Sequence, residues 1–489
     1  MPVQRSAVGN REAAEAIFRQ ALADCSIEQA LDRRFEEIAG GLDLHSIRQV
    51  RIVAAGKAAA PMLAATLAAL RRRLSAAATR EIAEDPEIRG VLIAPAPPAS
   101  LPPGFRFFAG GHPWPNDASF AGARAALDLL SNLEASPRSL CLFLISGGAS
   151  AMMELPLDAA IPLADTVGLY RELVHSGASI TEINCVRKHF SAVKGGRLAL
   201  AARGVAAVTV LVSDVPPGRL DALASGPTLP DTSTVAQCRE ILARYRMLPR
   251  FPASVRRFFE RDPLPETPKP DSFPARSITL LTSDDLARAA RLRAEALGFH
   301  AVIDNACDDW EYRDAARYLV GRLRDLRRAH PRLCLISAGE VTVALPGGAA
   351  EDGESSVDGG TDNGGSVAPP ARQRPPIGVG GRNQQFALYA ASLLEPEDRS
   401  TAVLSAGSDG IDGNSAAAGA VVDDRTLLDS AERPGASEAE LRAEAEQALE
   451  HFDASPLLER LGSTLVTGPT GNNLRDLRIL LADSGESGA

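Results

Sequence analysis

Short, unbroken apolar runs alternate along the chain with longer segments whose apolar residues recur every three or four positions. The runs VRIVAA (from Val50), VLIA (from Val91), LCLFLIS (from Leu140) and VAAVTVLV (from Val205) are separated by Ala/Leu/Arg segments of helical character. Strands with no polar alternation are buried on both faces, so this half of the chain predicts a parallel sheet covered by helices on either side. The opening segment 10–31 predicts a packed helix, with Ala14, Ile17, Phe18 and Leu22 on one stripe and Asn10 at the N-cap.

The alternation pauses at RDPLPETPKPDSFPAR (261–276), which has the composition of a linker or long boundary loop, and resumes with SITLLT, RLCLISAGEVTVAL, TAVLSAG and RILLAD. The reading is therefore α/β with two domains, 1–260 and 277–489. Residues 346–376 hold almost no large apolar side chain, cannot offset their ordering entropy by burial, and read as a loop inserted into the second domain. Ser437 and Glu440 form a capping box at the start of an acidic surface helix.

With 489 residues the chain can bury two substantial cores without disulfides or structural metal. Six scattered cysteines form no C-x-x-C pair and have no histidine at metal spacing, which suits small core residues in a reducing compartment. The N-terminus carries charges where a secretory signal needs an apolar stretch, and no run of eighteen apolar residues occurs, so the expected location is the cytoplasm. A formal net charge of -10 argues against a nucleic-acid-binding face. It leaves room for a small anionic ligand, because a few cations and helix N-termini make a local positive cleft.

Candidate chemistry lies where strands end, the usual ligand position in open α/β sheets. Gly56-Lys57 follows the first strand without the spacing of a P-loop or a dinucleotide fingerprint, so Lys57 is either a solvated surface charge or a cation aimed into a cleft. GGHPWPNDAS (110–119) is a rigid turn in which Asn116-Asp117 starts a helix and His112 is a packing or ligand residue. Ser146, Gly147, Gly148 and Ser150 follow a strongly apolar strand and suggest an anion cradle of loop amides and a helix N-terminus, with tight packing as the alternative.

Arg187, Lys188, Lys194 and Arg197 surround a Gly195-Gly196 break, which reads either as a solvated basic helix face or as a break suited to presenting Lys194 or Arg197 at a cleft. Asp214, just past a buried strand, would bind Mg2+ or cap a turn. The loop GVGGRNQ sets Gly380 and Gly381 before Arg382 and Asn383 in a first helical turn, a guanidinium beside helix amides that suits carboxylate or phosphate. Asp409 and Asp412 lie in an acidic loop, SAGSDGIDGN, without the ligand rhythm of a calcium loop; Asp409 is nearer the strand end, and Asp412 suits a turn-capping role. Anion cradles, cations and strand-end carboxylates with no Ser-His or Cys-His nucleophile are the equipment of phosphoryl transfer to a small hydroxy acid.

Taken in order, AAGKAAAPM, GGHPWPNDAS, LISGGASAMMELP, INCVRKHFSAVKGGRLA, VSDVPPGRLDALASGPTLPD, GEVTV with GGRNQQFAL, SAGSDGIDGNSAAAGA and TGPTGNNLRDL resemble the two-domain glycerate 2-kinases, over nearly the whole chain. The resemblance implies an N-terminal Rossmann-like domain and a C-terminal MOFRL domain. It also implies ATP- and Mg2+-dependent phosphorylation of D-glycerate at the 2-hydroxyl, in an interdomain cleft. By motif, Lys57, Arg382 and Asp409 resemble its catalytic cations and acid. Ser146, Gly147, Gly148, Lys194, Arg197, Gly380, Gly381 and Asn383 stand as substrate- or phosphate-binding positions, and Asp214 and Asp409 as metal ligands.

The expected partners are D-glycerate and ATP, with no nucleic acid or membrane; a homodimer is left open. The 346–376 insertion and SDDLARAA (283–290) depart from the family's pattern. Two rival readings are an NAD(P)H-dependent hydroxypyruvate reductase, an older label for many members, and a non-catalytic sugar-acid-binding module. The reductase requires a dinucleotide fingerprint where AAGKAAAPM places a lysine. The binding module would take glycerate without consuming ATP.

Overall fold

The computed structural model describes residues 9–40, 42–44, 46–76, 86–213, 223–343, 378–428 and 437–483. The described residues within 25–282 and 471–474 form one compact unit, and those within 1–24, 283–470 and 475–489 form the other.

The first unit is built on six parallel strands: β1 (Gln49–Ala55), β2 (Glu87–Ala94), β3 (Phe105–Ala109), β4 (Ser139–Ser146), β5 (Ala206–Val212) and β6 (Ser277–Leu281). Their order is β3-β2-β1-β4-β5-β6, the doubly wound Rossmann arrangement expected from the buried apolar runs. β4 is buried along its whole length, and β1 everywhere except Gln49, because helices cover both faces. The strand order reverses between β1 and β4, and in sheets of this kind ligands bind beyond the carboxyl ends of the strands at such a switch point. A separate helical cluster is packed by Phe190, Phe251, Phe258 and Phe259, with ring centroids 5.3 to 6.1 Å apart.

Two organisational expectations change and a third narrows. SITLLT does not open a new sheet: as β6 it pairs with β5. Of its two readings, the proline-rich 261–276 segment takes the boundary loop rather than the free linker, since Thr267 is 3% exposed and donates to Asp231, while Lys269 reaches the Ser233 carbonyl. The opening segment divides into helices Asn10–Asp24 and Ile27–Ala39, the latter N-capped by Ser26, and the first belongs to the second unit. Asn10 lies within the first turn and its amide donates to the Ser400 carbonyl, so it is not a cap.

The second unit has a mixed sheet of β7 (His300–Ile303), β8 (Arg332–Ala338), β9 (Thr401–Gly407), β10 (Gly419–Asp423), β11 (Thr464–Leu465) and β12 (Asp476–Asp483), in the order β11-β10-β9-β12-β8-β7. Only the β7–β8 pairing is parallel. β12 runs antiparallel between β8 and β9, so its first residue, Asp476, lies beside their carboxyl ends, opposite Gly407. The helix Arg382–Leu393 is buried from Asn383 to Ala391 and packs on this sheet. Ser437 caps helix Glu438–Glu450 in the expected capping box. Among the described residues no helix is long and apolar enough to cross a membrane. The 346–376 insertion lies outside the described residues.

Candidate active site

In the first unit, the turns after β1 and β4 interlock. Gly56 has φ +119°, and a Cβ there would lie 2.4 Å from Ser146 Oγ and 2.5 Å from the Ser146 carbonyl, so only glycine permits the approach. Lys57 N donates to the Gly147 carbonyl at 2.8 Å and Ala58 N to Ser146 Oγ at 3.0 Å. The Ser146 hydroxyl, expected on substrate, is thus turned onto its neighbour's backbone and is 2% exposed.

Gly148 (φ +81°) brings a third loop to the same place: a Cβ on it would meet Lys57 Cγ and His112 Cδ2, each at 3.3 Å. Asn116 caps the helix Asp117–Ser131 as expected. Lys57 is exposed, and among the described residues its ammonium has no hydrogen-bond or ion-pair partner. The helix after Gly148 has only four residues, Ala149–Met152, so its dipole is too short to make the anion cradle the sequence suggests.

Lys194 does not reach a surface. It is 1% exposed, donates to Glu154 Oε2 at 2.6 Å and to the Met153 carbonyl, and Tyr170 donates to the same carboxylate. Burial pulls the lysine below its ordinary pKa, and Glu154 opposes that shift. Gly195 and Gly196 dock by donating to the Ser225 and Gly226 carbonyls, and Arg197 donates to the Glu266 carbonyl. Asp214 lies outside the described residues.

In the second unit, Arg382 sits at the end of the sheet where β8 and β9 finish and β12 begins. Its Nε and Nη2 donate to Asp476 at 2.6 and 3.2 Å, and Nη2 is 2.8 Å from Glu340. Burial favours the neutral form, but these two carboxylates outweigh it and hold the guanidinium firmly charged. Among the described residues Nη1 has no acceptor.

The helix amides expected to lie free beside Arg382 are taken: Asn383 N and Gln384 N donate to the two oxygens of Asp412, at 3.0 and 2.8 Å. Asn383 is 1% exposed and accepts from Ser405, which removes it from ligand contact. Gly381 is bare because a Cβ would collide with Asp412 Oδ1 at 2.3 Å. Gly380 N donates to Asn414 Oδ1.

Asp412, 2% exposed, is therefore the cap of this helix, and burial pushes its carboxyl up to about 7 against the pull of the two amides. Asp409 is half-buried at the end of β9 and accepts from Ile411 N at 3.1 Å. Glu340 and Asp476 were not singled out in the sequence. The available signal was an acid immediately after one apolar strand (ISAGE) and at the head of another (RDLRILL).

The same architecture and motifs recur in known proteins. Residues 13–260 match a domain of unknown function (DUF4147) and residues 333–476 match the MOFRL family. A D-glycerate 2-kinase from Thermotoga maritima is 33% identical over 457 residues, 92% of this chain and 93% of that one. This chain belongs to the two-domain glycerate kinase family. A glycerate 2-kinase of Pyrococcus horikoshii is 32% identical over 76% of this chain and 77% of its own length. The crystal structure of Thermotoga maritima glycerate kinase superposes with a TM-score of 0.76 at 30% identity, covering 97% of this chain and 99% of that one. The family's DUF4147 half thus spans the sheet that carries Lys57, and its MOFRL half spans Glu340, Arg382, Asp409 and Asp476.

Proposed function

We propose that this chain is an ATP-dependent glycerate 2-kinase. It transfers the γ-phosphoryl group of ATP to the 2-hydroxyl of D-glycerate, releasing ADP, 2-phosphoglycerate and the hydroxyl proton. The observation that carries this reading is a Lys57 with no partner among the described residues, at the switch point of a β3-β2-β1-β4-β5-β6 sheet, in a chain similar over 92% of its length to a D-glycerate 2-kinase.

Phosphoryl transfer asks the protein chiefly for positioning and charge compensation. Lys57 supplies a mobile ammonium to the migrating group. Arg382, already aligned by Asp476 and Glu340, offers Nη1 to a charged oxygen. Asp409 takes the acidic role, at the hydroxyl proton or at Mg2+.

Mg2+ is commonly held by one or two carboxylates together with substrate phosphates, and it neutralises the phosphate oxygens. The residues fit that mode. No cluster of three or more His, Cys, Asp or Glu suited to a metal exists among the described residues, and Asp476 and Asp412 are committed to Arg382 and to helix amides. Asp409 is then the carboxylate at the end of β9 that suits the ion, and Asp214 is the other position the sequence offers.

The reductase reading loses support. A dinucleotide's pyrophosphate needs free amides where the first strand meets its helix, and here Lys57 N and Ala58 N already donate to Gly147 and Ser146. A coupled assay decides between the readings: ADP should form only when D-glycerate, ATP and Mg2+ are all present. NADH oxidation by hydroxypyruvate without ADP formation would sink the kinase reading, and glycerate binding with no ATP turnover would point to a binding module.

A further inference from the structure

Of the four lysine and arginine side chains in the segment 181–200, three are engaged by the protein. Lys188 pairs with Asp231 at 3.1 Å, Lys194 with Glu154 at 2.6 Å, and Arg197 donates to the Glu266 carbonyl at 3.1 Å. Arg187 is the exception. It is half-buried, its Nε is buried without an acceptor, and among the described residues none of its nitrogens has a hydrogen-bond or ion-pair partner.

Its guanidinium lies instead over the Tyr170 ring, 4.4 Å from the centroid. That ring is held still: the Tyr170 hydroxyl donates to Glu154 and lies 3.0 Å from the Ser150 carbonyl. The charge of Glu154 is balanced by Lys194, so no carboxylate in this network is left to compensate Arg187. Removing a cation from water without a counter-charge is unfavourable, and a half-buried guanidinium lacking any acceptor marks the place of an anion that the protein does not supply.

The position ties Arg187 to the loop after β4. Asn184, three residues earlier on the same face of helix Ile180–Phe190, accepts from Ser225 Oγ at 2.9 Å; Ser225 in turn is 2.9 Å from Ser150 Oγ. Ser150 lies two residues after Gly148, where an added Cβ would come within 3.3 Å of both Lys57 and His112. The helix face bearing Arg187 is thus hydrogen-bonded to the loop that packs on Lys57.

Resting on the glycerate kinase reading, we infer that Arg187 binds the carboxylate of D-glycerate. A single planar, unpaired fork matches a singly charged carboxylate bidentately. A triphosphate would need several cations, and the neighbouring Lys188 and Lys194 are already neutralised.

The test compares wild type, Arg187→Lys and Arg187→Met by steady-state kinetics and thermal melting. Arg187→Met should raise KM for D-glycerate at least about ten-fold, as expected for loss of a charge-assisted pair. KM for ATP should stay within about two-fold, the melting temperature without ligand should not fall, and the melting shift produced by glycerate alone should vanish. Arg187→Lys should recover part of the affinity. An unchanged KM for glycerate, a rise confined to ATP, or a fall in kcat accompanied by a lower melting temperature would each overturn the assignment. Wild-type turnover is measured first: if glycerate is not phosphorylated, the functional reading itself fails, whereas wild-type turnover with an unaffected Arg187→Met variant refutes only the role of Arg187.

Discussion

The two basic residues singled out as catalytic are held in opposite ways, and that difference predicts how each variant fails. Lys57 is exposed and has no partner among the described residues, so Lys57→Ala should leave the melting temperature unchanged while lowering kcat about 10²-fold or more, the scale of losing one charge stabiliser. Arg382→Ala should lose both activity and stability, because it strands Asp476, which is 2% exposed. The stability cost should be roughly 2–3 kcal/mol, below the ~3–5 of a fully buried pair because the Arg382 side chain is 35% exposed. Paired kinetics and urea unfolding distinguish these outcomes; equal destabilisation by both variants would contradict them. For Asp409→Asn, rescue of turnover by raised Mg2+ would assign the carboxylate to the ion, and a loss of kcat that Mg2+ does not relieve would assign it to the proton.

At the scale of elements, the helix Arg382–Leu393 depends on a buried acid at its start. Asp412 has its carboxyl pushed up to about 7 from an ordinary 3.8, chiefly by burial, with Asp476 adding to it and the Asn383 and Gln384 amides opposing it. A folded-state value above the unfolded one means that the stabilisation is fully present below about pH 4 and is lost as pH rises through 7. Urea midpoints of wild type should therefore fall relative to those of Asp412→Asn between pH 4 and 7; parallel profiles would exclude the shift.

The Lys194–Glu154 pair makes a second test, since it joins the residue before the Gly-Gly break to the end of the β4 loop segment. Lys194→Met alone leaves a carboxylate buried at 0% exposure without its cation and should destabilise strongly. Adding Glu154→Leu should restore much of that loss. This element also shows where sequence runs out. Two glycines flanked by lysine and arginine look the same whether the cations face a cleft or an acid forty residues away, and only the fold placed Glu154 against Lys194.

For the whole molecule, most of the architecture was legible because buried strands are written as unbroken apolar runs: β1, β2, β4 and β5 were read directly from them. The short strands β3 and β7, with half-exposed FRFFA and HAVI, carried too little pattern to be seen. Which sheet a strand joins is not in its periodicity, so SITLLT reads as the start of a second sheet although as β6 it closes the edge of the first. The candidate site was legible as glycines and charges at strand ends. Its internal pairing was not, because Arg382 finds Asp476 through a contact 94 residues apart.

This two-domain chain should phosphorylate D-glycerate at its 2-hydroxyl. Phosphorus NMR of a reaction containing the full-length protein, D-glycerate, ATP and Mg2+ tests it directly. The prediction is that ATP resonances give way to those of ADP and 2-phosphoglycerate. Unconsumed ATP, or 3-phosphoglycerate as the product, would contradict it.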